Sequence, residues 1–213
     1  NKMNKLFKTL FTIALLIPLL VHGQTTGGAT IFQGGNGWTS LIKGDLLIGT
    51  QENILICRIG KDSVRVTTVV EGFDYSSVTA IHPTDDPAQF LIGTDGNGLF
   101  ELSLKAGSNS LKRFTDHPDW ETLSVQSIMK DREENFWIST FGSGVIQFRL
   151  SADNESAKDV KRYDMLSGLN NNDIKTVIQD IEGNYWFGTY GDGVSMLTSY
   201  AFGYYRPGKS AVE

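Results

Sequence analysis

Cysteine is almost missing from this 213-residue chain. Cys57 stands alone, so no intrachain disulfide can form, and packing and sheet hydrogen bonds must hold the fold. It lies in the apolar run Ile54-Leu55-Ile56-Cys57 and reads as a buried strand residue rather than a reactive thiol. Histidine is nearly as scarce: His22, His82 and His117 stand apart from each other and from Cys57. His22 leaves with the expected leader, and His82 and His117 stand beside prolines in loop-like contexts, so the sequence offers no His-rich metal cluster and no Cys-His pair. The nucleophile-elbow pattern G-x-S-x-G is missing too, despite the superficial likeness of Gly142-Ser143-Gly144. Positive charge is in deficit, with 19 Lys and Arg against 24 Asp and Glu. Such a surface repels phosphate backbones, so no nucleic-acid partner is expected. After residue 24 no stretch holds apolar residues at helical spacing, which excludes bundles and helical solenoids.

One apolar run is present, at the start. Lys2, Lys5 and Lys8 precede Leu10 to Val21, and Val21-His22-Gly23 offers a cleavage site before Gln24. This is the layout of a secretory signal peptide over residues 1–23, with Met3 as the natural start. The run is too short for a membrane span of about 20 residues. Because the leader carries three lysines and no acid, the exported part sits near −8.

What the chain has in abundance is a repeat. The tract L-I-G-T-D-G-N-G-L-F-E-L from Leu91 returns as W-I-S-T-F-G-S-G-V-I-Q-F from Trp137 and W-F-G-T-Y-G-D-G-V-S-M-L from Trp186. An eroded copy, L-I-G-T-Q-E-N-I-L-I-C, begins at Leu47. Thr50, Thr94, Thr140 and Thr189 mark one point in each copy, at spacings of 44, 46 and 49 residues. Around the last copy, Ile174 to Asp180 is a β-branched run, Ile181-Glu182-Gly183-Asn184 a turn, and Tyr185 to Tyr190 a second run. Gly191-Asp192-Gly193 then reverses the chain into Val194 to Thr198, and the Val125 copy obeys the same grammar. Fourth strands are expected at Val160 to Tyr163 and Leu111 to Phe114. Short strands, Gly turns and a period in the mid-forties point to an all-β fold: a β-propeller with blades of four antiparallel strands. The signatures of WD40 repeats are absent.

The letters Asp180, Gly183, Asn184, Tyr185, Trp186, Phe187, Gly188, Thr189, Gly191, Gly193 and Val194 resemble the two-component regulator propeller repeat. The copy at Asp131 keeps Asn135, Phe136, Trp137, Ile138, Thr140, Gly142 and Gly144, with Ser139 in place of the first glycine. The Leu91 copy lacks the Trp, and the Leu47 copy lacks both turn glycines. The resemblance covers roughly residues 40 to 200. It implies the periplasmic sensing part of hybrid histidine kinase-like proteins, in which propellers of about seven blades respond to ligands, many of them oligosaccharides. Residues 24–213 would then be a partial propeller, with remaining blades and signalling domains as partners in a longer protein that could form homodimers. Four blades closing alone, or two chains sharing one ring, are the alternatives. A surface scaffold of a secretion or adhesion system, and a secreted polysaccharide-active enzyme, are rival functions.

Within the tract, structure and chemistry separate. Asp95-Gly96-Asn97-Gly98 and Asp192 invite a calcium reading, but the ordered array of oxygen ligands is missing and the glycines sit where hairpins turn. No metal or cofactor is expected, and no catalytic residue. Trp137 and Trp186 occupy the same register and read as blade-packing residues rather than sugar platforms. The letters that vary between copies are the binding candidates: Asp95, Phe141 and Tyr190 after the Thr, and Asn97, Ser143 and Asp192 between the glycines. All should lie on one rim, where rings of repeats commonly gather a site for a small ligand.

Overall fold

Every described strand pairs antiparallel with its neighbour in sequence, as expected of β-branched and aromatic runs joined by tight turns. The computed structural model describes residues 24–26, 29–34, 37–42, 45–59, 63–73, 76–105, 108–115, 117–198 and 202–205. The expected leader at 1–23 and residues 206–213 lie outside them. Gln24–Thr26 (β1), Ala29–Gly34 (β2), Gly37–Ile42 (β3), Asp45–Gly49 (β4), Ile54–Ile59 (β5) and Val64–Val70 (β6) form the first sheet. The second holds Val78–Pro83 (β7), Gln89–Thr94 (β8), Leu99–Lys105 (β9) and Ser108–Arg113 (β10). The third holds Ser124–Lys130 (β11), Phe136–Phe141 (β12), Val145–Leu150 (β13) and Ala157–Tyr163 (β14). Ile174–Gln179 (β15), Tyr185–Thr189 (β16), Val194–Leu197 (β17) and Phe202–Tyr205 (β18) form the fourth. A 3-10 turn at Pro118–Trp120 is the helical element among the described residues, where no helix is long and apolar enough to cross a membrane.

Three sheets are thus four-stranded blades. The first differs from the expected count: it has six strands, because β1 and β2 extend it beyond β3. β2 pairs with β3 in the register Gly34↔Gly37 to Ala29↔Ile42. The eroded Leu47 copy is a full participant, with β4 paired to β5 and β5 to β6. Across the sheets β3 lies against β7, β7 against β11 and β11 against β15, so the first strand of each repeat lines one side of the stack.

Three hydrophobic cores lie between blades, and a fourth, of Leu46, Ile48, Leu55 and Cys57, is drawn from the first sheet. Leu47, Ile54, Val78, Ile81, Phe90 and Phe100 belong to the cluster joining the first two. Leu91, Trp120, Val125, Phe136, Ile138 and Phe148 join the second and third. Trp137, Val145, Leu169, Ile174, Val177 and Phe187 join the third and fourth. Backbone approach is close at these boundaries: a Cβ on Gly49 would collide with Val78, and one on Gly93 with Val125. Ser139 stands at the same point of the third copy, and there its hydroxyl meets the Ser127 hydroxyl at 2.6 Å within the blade.

The Asp and Trp of the repeat form one polar lock. Asp131 Oδ2 accepts Trp137 Nε1–H at 2.7 Å and Asn135 Nδ2–H at 2.8 Å, while Oδ1 accepts the amides of Glu133 and Asn135. The Tyr185 hydroxyl of the next blade donates to the same Oδ2 at 2.8 Å. Burial pushes the Asp131 carboxyl up, but these hydrogen bonds outweigh it and leave it below the ordinary carboxylate value. Burial and then the Asp131 bond push the Tyr185 phenol far up, so it stays a donor. Asp180 repeats the lock with Trp186 and Asn184. In the second blade, which lacks the Trp, Thr84 stands where Asp131 and Asp180 do, its amide bonded to Gln89 O. Trp137 is 1% exposed, stacks on Tyr163 and meets the tilted rings of Tyr185 and Phe187, which makes it the blade-packing residue expected.

Two stability experiments follow. Asp131→Ala strands the Trp137 and Tyr185 donors in a buried setting and should cost about 3 kcal/mol in urea unfolding. Asp180→Ala should cost clearly less, since Trp186 is only half-buried and no described phenol crosses to Asp180. The second concerns His82, whose Nδ1–H donates to Pro83 O at 2.7 Å and whose ring meets Phe136 edge-on. Burial, with Lys130 nearby, lowers its pKa to about 4. The folded state therefore disfavours a proton that the unfolded state takes up below about 6.5. Its contribution is complete above about pH 6.5 and falls toward pH 4, with a slope of at most about 1.4 kcal/mol per pH unit. His82→Met, which installs the residue found at the equivalent position 129, should flatten stability against pH over that window.

Candidate functional site

The Thr-x-Gly-x-Gly turns share one construction. Thr94, Thr140 and Thr189 each spend both amide and hydroxyl on the carbonyl of the second glycine: Gly98, Gly144 and Gly193. Thr50 does the same with Asn53 O in the eroded copy. Recurrence at one point of every copy suggests that the Thr, like the Trp, packs blades; the recurring Thr is instead a turn lock. Gly96, Gly142 and Gly191 have φ of 83°, 86° and 95°, with open space where a Cβ would stand. Backbone conformation alone demands glycine there. The second glycine is also crowded: a Cβ on Gly98 would strike the Trp120 carbonyl, and one on Gly144 the Tyr163 carbonyl. Gly98 N–H and Gly144 N–H donate to Leu123 O and Asn172 O, in the segments leading to the following blade.

With the frame fixed, the variable letters separate into two groups. Phe141 and Tyr190 are 52% and 43% exposed, and their rings meet edge to face at 5.5 Å across the boundary of the third and fourth blades. The Lys175 ammonium lies 5.5 Å from the Tyr190 ring centroid. The Tyr190 hydroxyl donates to Gln126 Oε1 at 2.8 Å, Gln126 Nε2–H to Ser124 Oγ at 3.0 Å, and Ser124 Oγ–H to Asp95 Oδ1 at 2.5 Å. Asp95, Phe141 and Tyr190 thus belong to one surface, joined by a hydrogen-bond line over three blades. The other three letters lie outside this line. Asn97 braces the frame, donating to Phe73 O at 3.0 Å and accepting from Arg113. Asp192 accepts from Asn171 Nδ2 at 2.6 Å and, through its backbone carbonyl, from Asn170. Ser143 sits half-buried at the equivalent position.

Sequence reasoning missed Ser124, Gln126 and Lys175. Gln126 and Lys175 follow Val125 and Ile174, equivalent positions at the start of the innermost strands, and Thr79 follows Val78 in the same way. Polar residues alternating with buried β-branched ones there are the available signal. The Thr79 hydroxyl is buried without a hydrogen-bond partner among the described residues.

The opposite rim holds a cleft of about 700 Å³ between the second and third blades, lined among others by Asp85, Asp86, Glu133, Arg149 and Asn154. Its polar groups are largely engaged: Lys130 pairs with Asp85 at 2.6 Å and with Glu134, and Arg149 donates to the Asn135 side-chain amide oxygen and to Glu133 O. Among the described residues no group of three or more His, Cys, Asp or Glu side chains could hold a metal ion.

Residues 168–191 match the family model described as two component regulator propeller. A search of the curated proteins finds no match. Among solved structures, the fold is similar to the extracellular domain of a protein assigned as a hybrid two component system from B. thetaiotaomicron, at TM-score 0.57 and 20% identity. That match covers 84% of this chain and 27% of the other. PorZ, a surface component of the type-IX secretion system of Porphyromonas gingivalis, matches at TM-score 0.57 and 13% identity over 84% of this chain and 32% of its own. A protein assigned as a 6-phosphogluconolactonase from Bacteroides uniformis matches at TM-score 0.55 and 9% identity, over 86% of this chain and 66% of its own. The chain spans about a quarter to a third of the first two. Residues 168–191 thus match the two component regulator propeller repeat, in a chain whose sheets are blades of a β-propeller.

Proposed function

We propose that this is an exported, non-enzymatic sensing segment of a two-component-type signalling protein, and that it binds a saccharide on the rim formed by Phe141, Tyr190, Gln126, Ser124 and Asp95. The observation that carries this reading is the pair of exposed rings meeting at 5.5 Å beside a line of amide, hydroxyl and carboxylate groups. A sugar has an apolar C–H face and a periphery of hydroxyls. The first suits an exposed ring, the second suits side chains that both donate and accept. Export is supported by the leader at residues 1–23 and by the extracellular origin of the similar B. thetaiotaomicron domain.

A second reading, a surface scaffold of a secretion system, draws on the likeness to PorZ. It would use the same rim for a protein and leave glycans unbound. The enzymatic reading has less behind it, since the acids of the opposite cleft are engaged: Asp85 and Glu134 with Lys130, Asp86 with the Ala88 amide, and Glu133 with Gln179 and Tyr185.

The test is a glycan array followed by calorimetry on the hits, with wild type and Phe141→Ala/Tyr190→Ala. The wild type should bind at least one glycan, and the double variant should bind it at least about tenfold more weakly, a loss of about 1.4 kcal/mol. Both rings are half-exposed, so the melting temperature should hardly move. A wild type that binds no glycan, or a double variant that binds as well as wild type, overturns the proposal.

A further inference from the structure

The third and fourth strands of the second and third blades carry polar residues at equivalent places, but the two blades treat them differently. Ten residues after the start of each tract stand Glu101 and Gln147, and they face Lys112 and Lys161 across the strand pair. In the second blade this corner is tied to the hairpin between β13 and β14, which runs through the six residues 151–156. Asn154 Nδ2–H donates to Gln89 Oε1 at 2.8 Å, and Gln89 Nε2–H to Glu101 Oε1 at 3.1 Å. The Lys112 ammonium meets Glu155 at 3.3 Å, and Glu101 is buried.

The third blade keeps the lysine and lacks its counter-charge. Gln147 replaces the acid, and Arg149 stands where the second copy has Ser103. The corresponding hairpin of the fourth blade joins Leu197 to Phe202 through residues 198–201, two fewer, and none of them is Asp or Glu. Asn135, Gln147, Arg149, Asp159 and Lys161 line a cleft of about 290 Å³. Gln147 and Arg149, two apart on β13, share one face of the sheet. Beside them β14 bulges: Asp159 and Val160 stand against Phe148, and Asp159 takes φ of 53°.

The donors of this cleft are positioned but not spent. Arg149 is oriented by Nε–H to Asn135 Oδ1 at 2.8 Å and by Nη2–H to Glu133 O at 3.3 Å, both neutral oxygens. Its Nη1 has no partner among the described residues, and neither Arg149 nor Lys161 meets a carboxylate there. Gln147 Oε1 accepts the Tyr163 hydroxyl at 3.1 Å, while Gln147 Nε2 has no partner among the described residues. Two cations thus share the cleft with the single carboxylate of Asp159, in a chain where acids outnumber bases by 24 to 19. A guanidinium held in place with free N–H groups is suited to an oxyanion. We infer that this cleft binds the oxyanion of a small ligand, a carboxylate, sulfate or phosphate, with Arg149 and Lys161 supplying charge and Gln147 a neutral donor. Asp159 disfavours a second anionic group, so a ligand with one such group fits. The cleft lies on the rim opposite Phe141 and Tyr190 and does not depend on what binds there.

Titration of the ¹⁵N-labelled protein at constant ionic strength tests the inference, with glucuronate, glucose 6-sulfate and glucose 6-phosphate as separate probes and glucose as the neutral control. At least one anionic probe should move the Arg149 Nε and Gln147 Nε2 resonances along a saturating curve, and the three arms tell which oxyanion is preferred. Glucose should leave both resonances in place. Arg149→Ser, which installs the residue of the second copy, and Lys161→Gln, at an exposed position, should each weaken binding at least about tenfold. If Arg149→Ser lowers the melting temperature, Lys161→Gln decides alone. The inference is overturned if none of the three anions moves these resonances, or if glucose moves them as far. It is also overturned if the anions move Lys105, Lys158 and Lys175 equally, which is diffuse charge attraction, or if Lys161→Gln binds as well as wild type.

Discussion

No blade of this protein can bury its own faces. A four-stranded antiparallel sheet is one layer thick, and a layer rich in Ile, Leu, Val and aromatic residues on both sides needs another layer against each side. The three main cores reflect that constraint, since each is assembled from residues of two successive repeats. Sheets pack about 10 Å apart, and the small residues at Gly49 and Gly93 let the following strand come in close. Stability therefore accrues at boundaries, in the manner of repeat arrays, where nearest-neighbour interfaces dominate.

The polar side chains of the repeat answer the same constraint. A buried Trp brings an N–H that must be bonded, and Asp131 supplies an acceptor already oriented by the Asn135 and Glu133 amides. Its remaining capacity goes to Tyr185 of the next blade. One carboxylate thus closes a turn, satisfies an indole and ties two blades together. Where the Trp is replaced by Leu91, the Asp is replaced by Thr84, consistent with a carboxylate that is held in place for its donors.

These constraints explain what could be seen in the sequence. Strands and turns follow from β-branched runs and from glycines with φ near 90°, and they are written plainly in each tract. The packing role of Trp137 follows from its shared register with Trp186. The Thr role was harder to see, because a hydroxyl bonded to a carbonyl four residues on leaves no pattern distinct from a packing residue. Asn97 looked like a free rim residue, yet its partners Phe73 and Arg113 are 24 and 16 residues away in sequence and meet it only in the folded blade. Gln126 and Lys175 stayed hidden because the site combines the end of one strand with the start of another from a different blade. Repeat periodicity describes what is the same in each copy; the rim surface is made from what differs.

That origin bears on how the surface would work. Phe141 belongs to the third blade and Tyr190 to the fourth, so a ligand resting on both rings touches both sides of one boundary. On the opposite rim the same boundary is held by Tyr185 with Asp131, Gln179 with Glu133, and Arg132 with Ile181 O. A boundary held at one rim by side chains of Asp131, Glu133, Gln179, Tyr185 and Arg132 has more freedom to open at the other, where the side-chain contacts are two exposed rings and the Tyr190–Gln126 bond, beside the one backbone bond from Gly144 N–H to Asn172 O. Bridging those rings adds a tie where the stack has few. Binding energy would then appear as resistance of the third and fourth blades to splaying, a mechanical quantity that neighbouring blades, packed face to face, are placed to feel.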